Sequence, residues 1–180
     1  MAAQRWKLPA IIAAVMLIGG TLAGIVWIGA NKLEGTPGFF GPAPLIADIN
    51  LSLEILLVAG LTVGIFLARR GSIDAHKYNQ TTWVLLNMVL VAFIMAGSMQ
   101  DVKPTQLADF SDARIGITWL HALAGCFTVA SGLWIVLQMN GIVPQSWRIK
   151  WWKNLMRATV AGYWAVALGG FVTYYFWYVG

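Results

Sequence analysis

The stretch that decides the fold runs from Leu45 to Leu67 and reads LIADINLSLEILLVAGLTVGIFL. A helix needs roughly 20 predominantly apolar residues to cross a 30 Å hydrocarbon core, and this stretch is long enough to do so. Water cannot pair with backbone amides inside a bilayer, and the stretch lacks the alternation of a barrel strand. The sequence therefore predicts a transmembrane helix here.

Similar apolar stretches occur along the rest of the chain. The 180 residues are 59% hydrophobic and 11% charged, whereas soluble domains carry roughly 25% charged residues. We predict an all-α fold in which residues 1–180 form one polytopic transmembrane bundle of about five helices. The stretch from Thr82 to Ser98, the third in chain order, is the shortest, and residues 78–80 are expected to extend it. The other four stretches are Leu8 to Ala30, Thr82 to Ser98, Ile115 to Met139 and Ala158 to Val179.

The basic residues predict the orientation of this bundle. Nine of them fall on one set of loops and three on the other, and cytoplasmic loops retain Lys and Arg. The chain is therefore expected to run N-in/C-out in a bacterial cytoplasmic membrane, with the lipid bilayer rather than nucleic acid as its partner. The nine are Arg5, Lys7, Arg69, Arg70, Lys77, Arg148, Lys150, Lys153 and Arg157, and the three are Lys32, Lys103 and Arg114. The acidic residues of the outer loops are Glu34, Asp101, Asp109 and Asp112.

Small residues recur at three- or four-residue spacing in three of the stretches. Such residues let two helix backbones approach closely, which drives association in lipid. The faces that they form either close the bundle or bind another subunit, and we expect most of them to pack inside the chain. They are Gly20 and Gly24, Gly60 and Gly64, and Gly125, Thr128 and Gly132.

Ionisable residues deep in a span are costly and usually face the bundle interior. Glu54 is ten residues beyond Pro44, or roughly 15 Å along a helix. Asn50 shares its helix face, and Asp48 lies nearer the outer boundary, so these three residues form a candidate polar site. His121 is expected about 10 Å below the outer surface. Glu54 and His121 could relay protons in a small proton-coupled carrier; the simpler interpretation makes His121 a lone packed side chain.

A haem cofactor is a further hypothesis. His76 is expected near the inner boundary, roughly 20 Å from the level of His121, so the two histidines of one chain cannot ligate the same haem. A His/Met pair formed by His121 and Met95 remains open, because that axial combination is known. No catalytic residue, Cys/His metal cluster or phosphate-binding loop is indicated by the sequence.

Several short motifs resemble small multi-span bacterial membrane proteins of the YozB type over roughly residues 50–180. They begin in the inner loop, continue into the third and fourth spans, and end at the start of the last span. The motifs are Ala68-Arg69-Arg70-Gly71, Ala75-His76-Lys77, Thr81-Thr82, Asn87, Leu120-His121-Ala122 and Trp152-Lys153-Asn154-Leu155-Met156-Arg157.

The resemblance implies a link to the maturation of haem-containing terminal oxidases, with a loose likeness to cytochrome-b561-like proteins. It implies His76, Asn87, His121 and Arg157 as candidate functional positions. We therefore expect a non-enzymatic membrane subunit or assembly factor of a respiratory or photosynthetic electron-transfer complex, with other membrane subunits as partners. The alternatives are the proton-coupled carrier and a structural scaffold without a ligand.

Overall fold

The computed structural model describes residues 7–33, 35–99 and 102–180. Arg5, Glu34 and Asp101, which enter the predicted charge distribution, lie outside the described residues. Five helices are long and apolar enough to cross a membrane, which confirms the predicted all-α polytopic bundle. They are α1 (Lys7–Ala30), α2 (Leu45–Arg69), α3 (Ile73–Leu90, continued by a π-helical segment Val91–Met95 and by Ala96–Ser98), α4 (Ala113–Met139) and α5 (Trp152–Tyr178).

Helices α2 to α5 form a closed ring in which each helix packs against its neighbours in the sequence and α5 returns to α2. Short connections between long helices favour this up-and-down arrangement. Helix α1 packs mainly against α3, and only 6% of its apolar window is buried, compared with 39% for α2. The packed interior is therefore a four-helix bundle with a peripheral fifth helix.

The core lies where the four helices of the ring converge. Leu57 and Leu61 of α2 and Leu90 of α3 are almost completely buried. They join Val136 of α4 and Tyr163 of α5 in one hydrophobic cluster. This cluster joins all four helices of the ring in one core.

We call the end where α2 ends and α3 begins the inner end, and the opposite end the outer end. Helix α3 starts at Ile73, nine residues before the predicted apolar stretch at Thr82. Most of these extra residues are polar, and the helical extension predicted for residues 78–80 is confirmed, whereas hydropathy does not predict the helix over 73–77. They are nevertheless helical, because their side chains pair with α2, as described below. Helix α5 likewise begins at Trp152 rather than at residue 158.

Two acidic residues of the loop between α3 and α4 hold the loop together through hydrogen bonds. Asp109 accepts hydrogen bonds from the backbone N–H of Thr105 at 2.6 Å and of Gln106 at 3.1 Å, and from the Thr105 hydroxyl at 2.9 Å. These bonds, led by the Thr105 backbone, lower the pKa of Asp109. Asp112 then caps α4 by accepting from the backbone N–H of Arg114 at 2.8 Å, as N-cap carboxylates do.

Candidate functional site at the inner end

A ladder of polar side chains joins α3 to the glycine face of α2. His76 Nδ1 lies 2.7 Å from the Gly64 carbonyl oxygen, and Asn79 donates to the Gly60 carbonyl at 2.8 Å. Gln80 donates to the Leu61 carbonyl at 3.0 Å. Side chains usually shield the backbone carbonyls of a helix from other helices. A glycine has no side chain, so its surroundings stay open and a neighbouring helix can approach the carbonyls. The glycine pair predicted from spacing therefore packs inside the chain.

This ladder sets which ring nitrogen of His76 carries a hydrogen. A backbone carbonyl can only accept a hydrogen bond, so the Nδ1 atom that faces the Gly64 carbonyl carries the proton. In a neutral imidazole the Nε2 atom then holds the free lone pair. Metal-ligating histidines are typically oriented by the same second-nitrogen hydrogen bond to a carbonyl. A neutral His76 therefore offers only Nε2 to a ligand.

His76 lines a cavity of about 750 Å³ at the inner end, which we call the inner cavity. All four helices of the ring contribute to its walls, and ligand sites in bundles are commonly built between helices in this way. Most of the deeper wall is apolar, and two thioethers belong to it. The apolar part includes Leu61, Ile65, Val84, Ile135, Val136, Met139, Met156 and Val160.

The lining of the inner cavity contains four cationic side chains, from Arg69, Lys77, Lys153 and Arg157, and none of its described residues is acidic. They come from the end of α2, the beginning of α3 and the beginning of α5, so the positive charge is concentrated at the inner mouth. The Lys153 ammonium also lies 5.4 Å from the centroid of the Trp152 ring. The cavity therefore combines an apolar interior with an anion-attracting mouth.

A buried hydrogen-bonded group forms the deep end of the inner cavity. Asn87 donates to the Tyr163 hydroxyl at 3.4 Å, and that hydroxyl would lie 2.8 Å from a Cβ added at Gly132. Thr159 and Ser131 are joined at 3.0 Å one turn closer to the mouth. Tyr163 and Thr159 both line the cavity. Asn87, a candidate position predicted from the sequence, thus contacts Tyr163 but is not among the residues that line the cavity.

The polar residues predicted in the outer half have a different arrangement. Glu54 is only 7% exposed, and its carboxylate packs on α5, where a Cβ added at Gly170 would lie 2.5 Å from Oε2. His121 packs against the adjacent residue of α5, 3.1 Å from the Cβ position of Gly169. No hydrogen bond or ion pair between described residues joins the two. The predicted Glu54–His121 relay therefore has no direct contact.

Asp48, the third member of the predicted polar site, is fully buried and has a structural role. Its carboxylate accepts from the backbone N–H of Phe40 at 2.6 Å and from the Tyr174 hydroxyl at 2.6 Å. These two bonds tie the loop before α2 and the end of α5 to one side chain. We call this arrangement the outer clamp.

The predicted His121 and Met95 pair does not enter the inner cavity. Met95 ends the π-helical segment of α3, whereas His121 lies on α4 beside Gly169, and neither residue lines the cavity. By contrast, Met139 and Met156 line the same cavity as His76.

The sequence analysis did not select Lys77, Lys153, Met139, Met156 or Tyr163. In the sequence the basic residues predict only orientation, and the fold brings them and the two methionines around one space. Arg157, selected through the family resemblance, also lines the cavity. In the part of the chain that the structure describes, no three His, Cys, Asp or Glu residues are grouped to hold a metal ion. Comparisons with family models, curated proteins and solved structures find no match to this chain.

Proposed function

We propose that this chain is a non-enzymatic integral membrane subunit or assembly factor of a respiratory or photosynthetic electron-transfer complex, and that it holds haem transiently in the inner cavity. The observation that carries the proposal is the combination of one oriented imidazole with four cations around an apolar space. The multi-pass chain would lie in a bacterial cytoplasmic membrane with its inner end at the cytoplasm.

The lining residues fit haem by charge and by polarity. The macrocycle is apolar and carries two propionate carboxylates, so its binding site requires apolar walls and a cationic mouth. Arg69 and Arg157 would pair with the propionates, since guanidinium groups bind carboxylates through parallel hydrogen bonds. His76 Nε2 would ligate the iron, with Met139 or Met156 as the candidate second ligand. When bound, haem supplies a redox-active iron centre.

In the proposed function, the residues of the chain hold and orient the ligand. His76 orients a ligand nitrogen through Gly64, the cations hold an anionic edge, and Tyr163 closes the deep end. None of these groups is paired with a nucleophile or a general base among the described residues. The expected role is therefore holding and release, which a partner subunit would complete.

We expect purified protein in detergent to bind hemin with a Soret band shifted from that of free hemin. His76→Ala should weaken this binding by at least the roughly 10–100-fold seen when a metal site loses an orienting contact. Arg69→Gln with Arg157→Gln should weaken it without removing the imidazole that would ligate the iron, so the band position should persist. Optical titration of each variant measures both quantities.

His121→Ala is the matched control, because it removes the other histidine without changing the inner cavity. Unchanged hemin affinity in His76→Ala, or equal losses in both histidine variants, would contradict the site. The membrane-complex part of the proposal is tested separately by the subunits that co-purify. A protein that binds no hemin and co-purifies with no oxidase, reductase or reaction-centre subunit would end the whole proposal.

A further inference from the structure

The connection between α4 and α5, residues 140–151, is fastened to the inner end of α4, and we call it the basic loop. The buried side chain of Gln138 donates to the Ile149 carbonyl at 3.1 Å and accepts from the Ile149 N–H at 2.8 Å. Within the loop, Arg148 Nε donates to the carbonyl of the buried Val143 at 3.1 Å. These bonds draw the loop back against the bundle, so it stays close to the ends of the two helices that it joins.

The basic loop exposes large apolar side chains at the inner end. Ile142, Trp147 and Trp151 are each 60% or more exposed. Because α4 and α5 are both long and apolar enough to cross a membrane, a loop held against their inner ends lies at the membrane surface. Indole rings are enriched at this level, where their apolar body meets acyl chains and their N–H meets headgroups. The exposed apolar side chains therefore face a lipid environment.

The same segment is cationic and has no acid near it in the chain. Arg148 and Lys150 of the basic loop are exposed, and so are Lys153 and Arg157 in the first turns of α5. The sequence contains no Asp or Glu after Asp112. Guanidinium and ammonium groups both bind phosphate oxygens well. Charge and exposure together thus indicate an anionic, phosphate-bearing partner.

We propose that the basic loop binds the headgroup of an anionic phospholipid. Arg148 and Lys150 contact the phosphate, while Trp147 and Trp151 lie beside the upper part of the acyl chains. Each Lys or Arg near an anionic membrane surface contributes about 1 kcal/mol, which is roughly fivefold in affinity. Neither Arg148 nor Lys150 is among the residues that line the inner cavity. The lipid site is therefore separate from the proposed haem site and does not depend on it.

Native mass spectrometry of the full-length protein in detergent tests this proposal. Dioleoylphosphatidylglycerol and dioleoylphosphatidylcholine carry the same acyl chains, so the ratio of their affinities reports on headgroup charge. For the most tightly bound lipid, the wild type should prefer phosphatidylglycerol by about 25-fold, roughly fivefold for each of the two cations. Lys150→Gln should reduce this preference to about fivefold. Lys150→Glu, which reverses the charge, should remove the preference.

The same two substitutions at Lys103 are the matched controls, because Lys103 is an exposed lysine of the loop between α3 and α4 at the outer end. Lys103→Gln and Lys103→Glu should keep the wild-type preference, and Lys150→Gln should keep the wild-type affinity for hemin.

Three results would overturn the proposal. Equal wild-type affinities for the two lipids would leave an acidic protein as the candidate partner of this surface. Equal losses at Lys150 and Lys103 would show that the lipid responds to net charge rather than to the basic loop. A preference that survives Lys150→Glu but disappears in Arg69→Gln with Arg157→Gln would place the lipid at the mouth of the inner cavity instead.

Discussion

Gly60→Ala is expected to lower the stability of the bundle by about 1–3 kcal/mol, the usual cost of adding a group to a well-packed interior. A Cβ at this position would overlap the indole ring of Trp83 on α3. The same indole donates to Asn79 at 3.2 Å, and Asn79 donates to the Gly60 carbonyl at 2.8 Å. Moving the ring therefore disturbs the hydrogen bonds as well as the packing. Denaturant unfolding in mixed micelles measures the loss.

Gly24→Ala is the matched control, because a Cβ there meets no heavy atom within 4 Å. Both substitutions add one methyl group to a glycine that has a second glycine four residues away in a transmembrane helix. The control should be neutral or stabilising by up to about 1 kcal/mol, the gain in helix propensity. Trp83→Ala should remove most of the penalty of Gly60→Ala in the double variant. Equal effects of Gly60→Ala and Gly24→Ala would refute the close α2–α3 contact.

The small-residue faces show how far spacing alone can predict packing. Gly60 and Gly64 meet side chains of α3, and Gly132 meets Tyr163 of α5, as the sequence analysis expected. Gly20 and Gly24 of α1 have the same spacing, but a Cβ added at either would meet no neighbouring atom within 4 Å. Spacing indicates that a close approach is possible. Which helix packs against a given glycine depends on the packing of the whole bundle, so the local pattern does not predict it.

The start of α3 shows a second limit of sequence reasoning. Residues 73–81 include Asp74, His76, Lys77, Asn79 and Gln80, so hydropathy does not place them in the span, and only residues 78–80 are predicted to extend it. Three of these side chains form hydrogen bonds with carbonyls of α2. These bonds replace the hydrogen bonds that the side chains would otherwise make with water. Only the pairing between helices reveals this compensation. The depth of Glu54, by contrast, follows from one-dimensional position along a helix and could be predicted.

The inner cavity lies beyond sequence reasoning for the same reason. Its cations come from α2, α3 and α5, and Met139 comes from α4. In the sequence these residues are separated by as many as 88 positions, from Arg69 to Arg157. His76 was expected at the inner boundary, but the carbonyl that fixes its tautomer belongs to another helix. A ligand site built from four helices is visible only after they are packed.

Asp48→Ala is expected to lower stability by about 3 kcal/mol or more. The substitution removes two hydrogen bonds to a buried charged group, each worth about 1.5–3 kcal/mol. Phe40 N–H and the Tyr174 hydroxyl would both lose their acceptor in a position where Asp48 is fully buried. Because the outer clamp also holds the loop before α2, protease cleavage within residues 35–44 should accelerate. Unfolding and limited proteolysis of the same sample measure both effects.

Two further variants separate the halves of the outer clamp. Tyr174→Phe removes one donor and should cost about half as much as Asp48→Ala, while the Phe40 bond keeps the loop protected. Asp74→Asn changes an exposed acid in the first turn of α3 and should cost less than about 1 kcal/mol. In the double variant of Asp48→Ala with Tyr174→Phe, the two losses should be less than additive, because both changes remove the same bond. Strict additivity, or an Asp48→Ala variant as stable as Asp74→Asn, would show that Asp48 does not join the loop to α5.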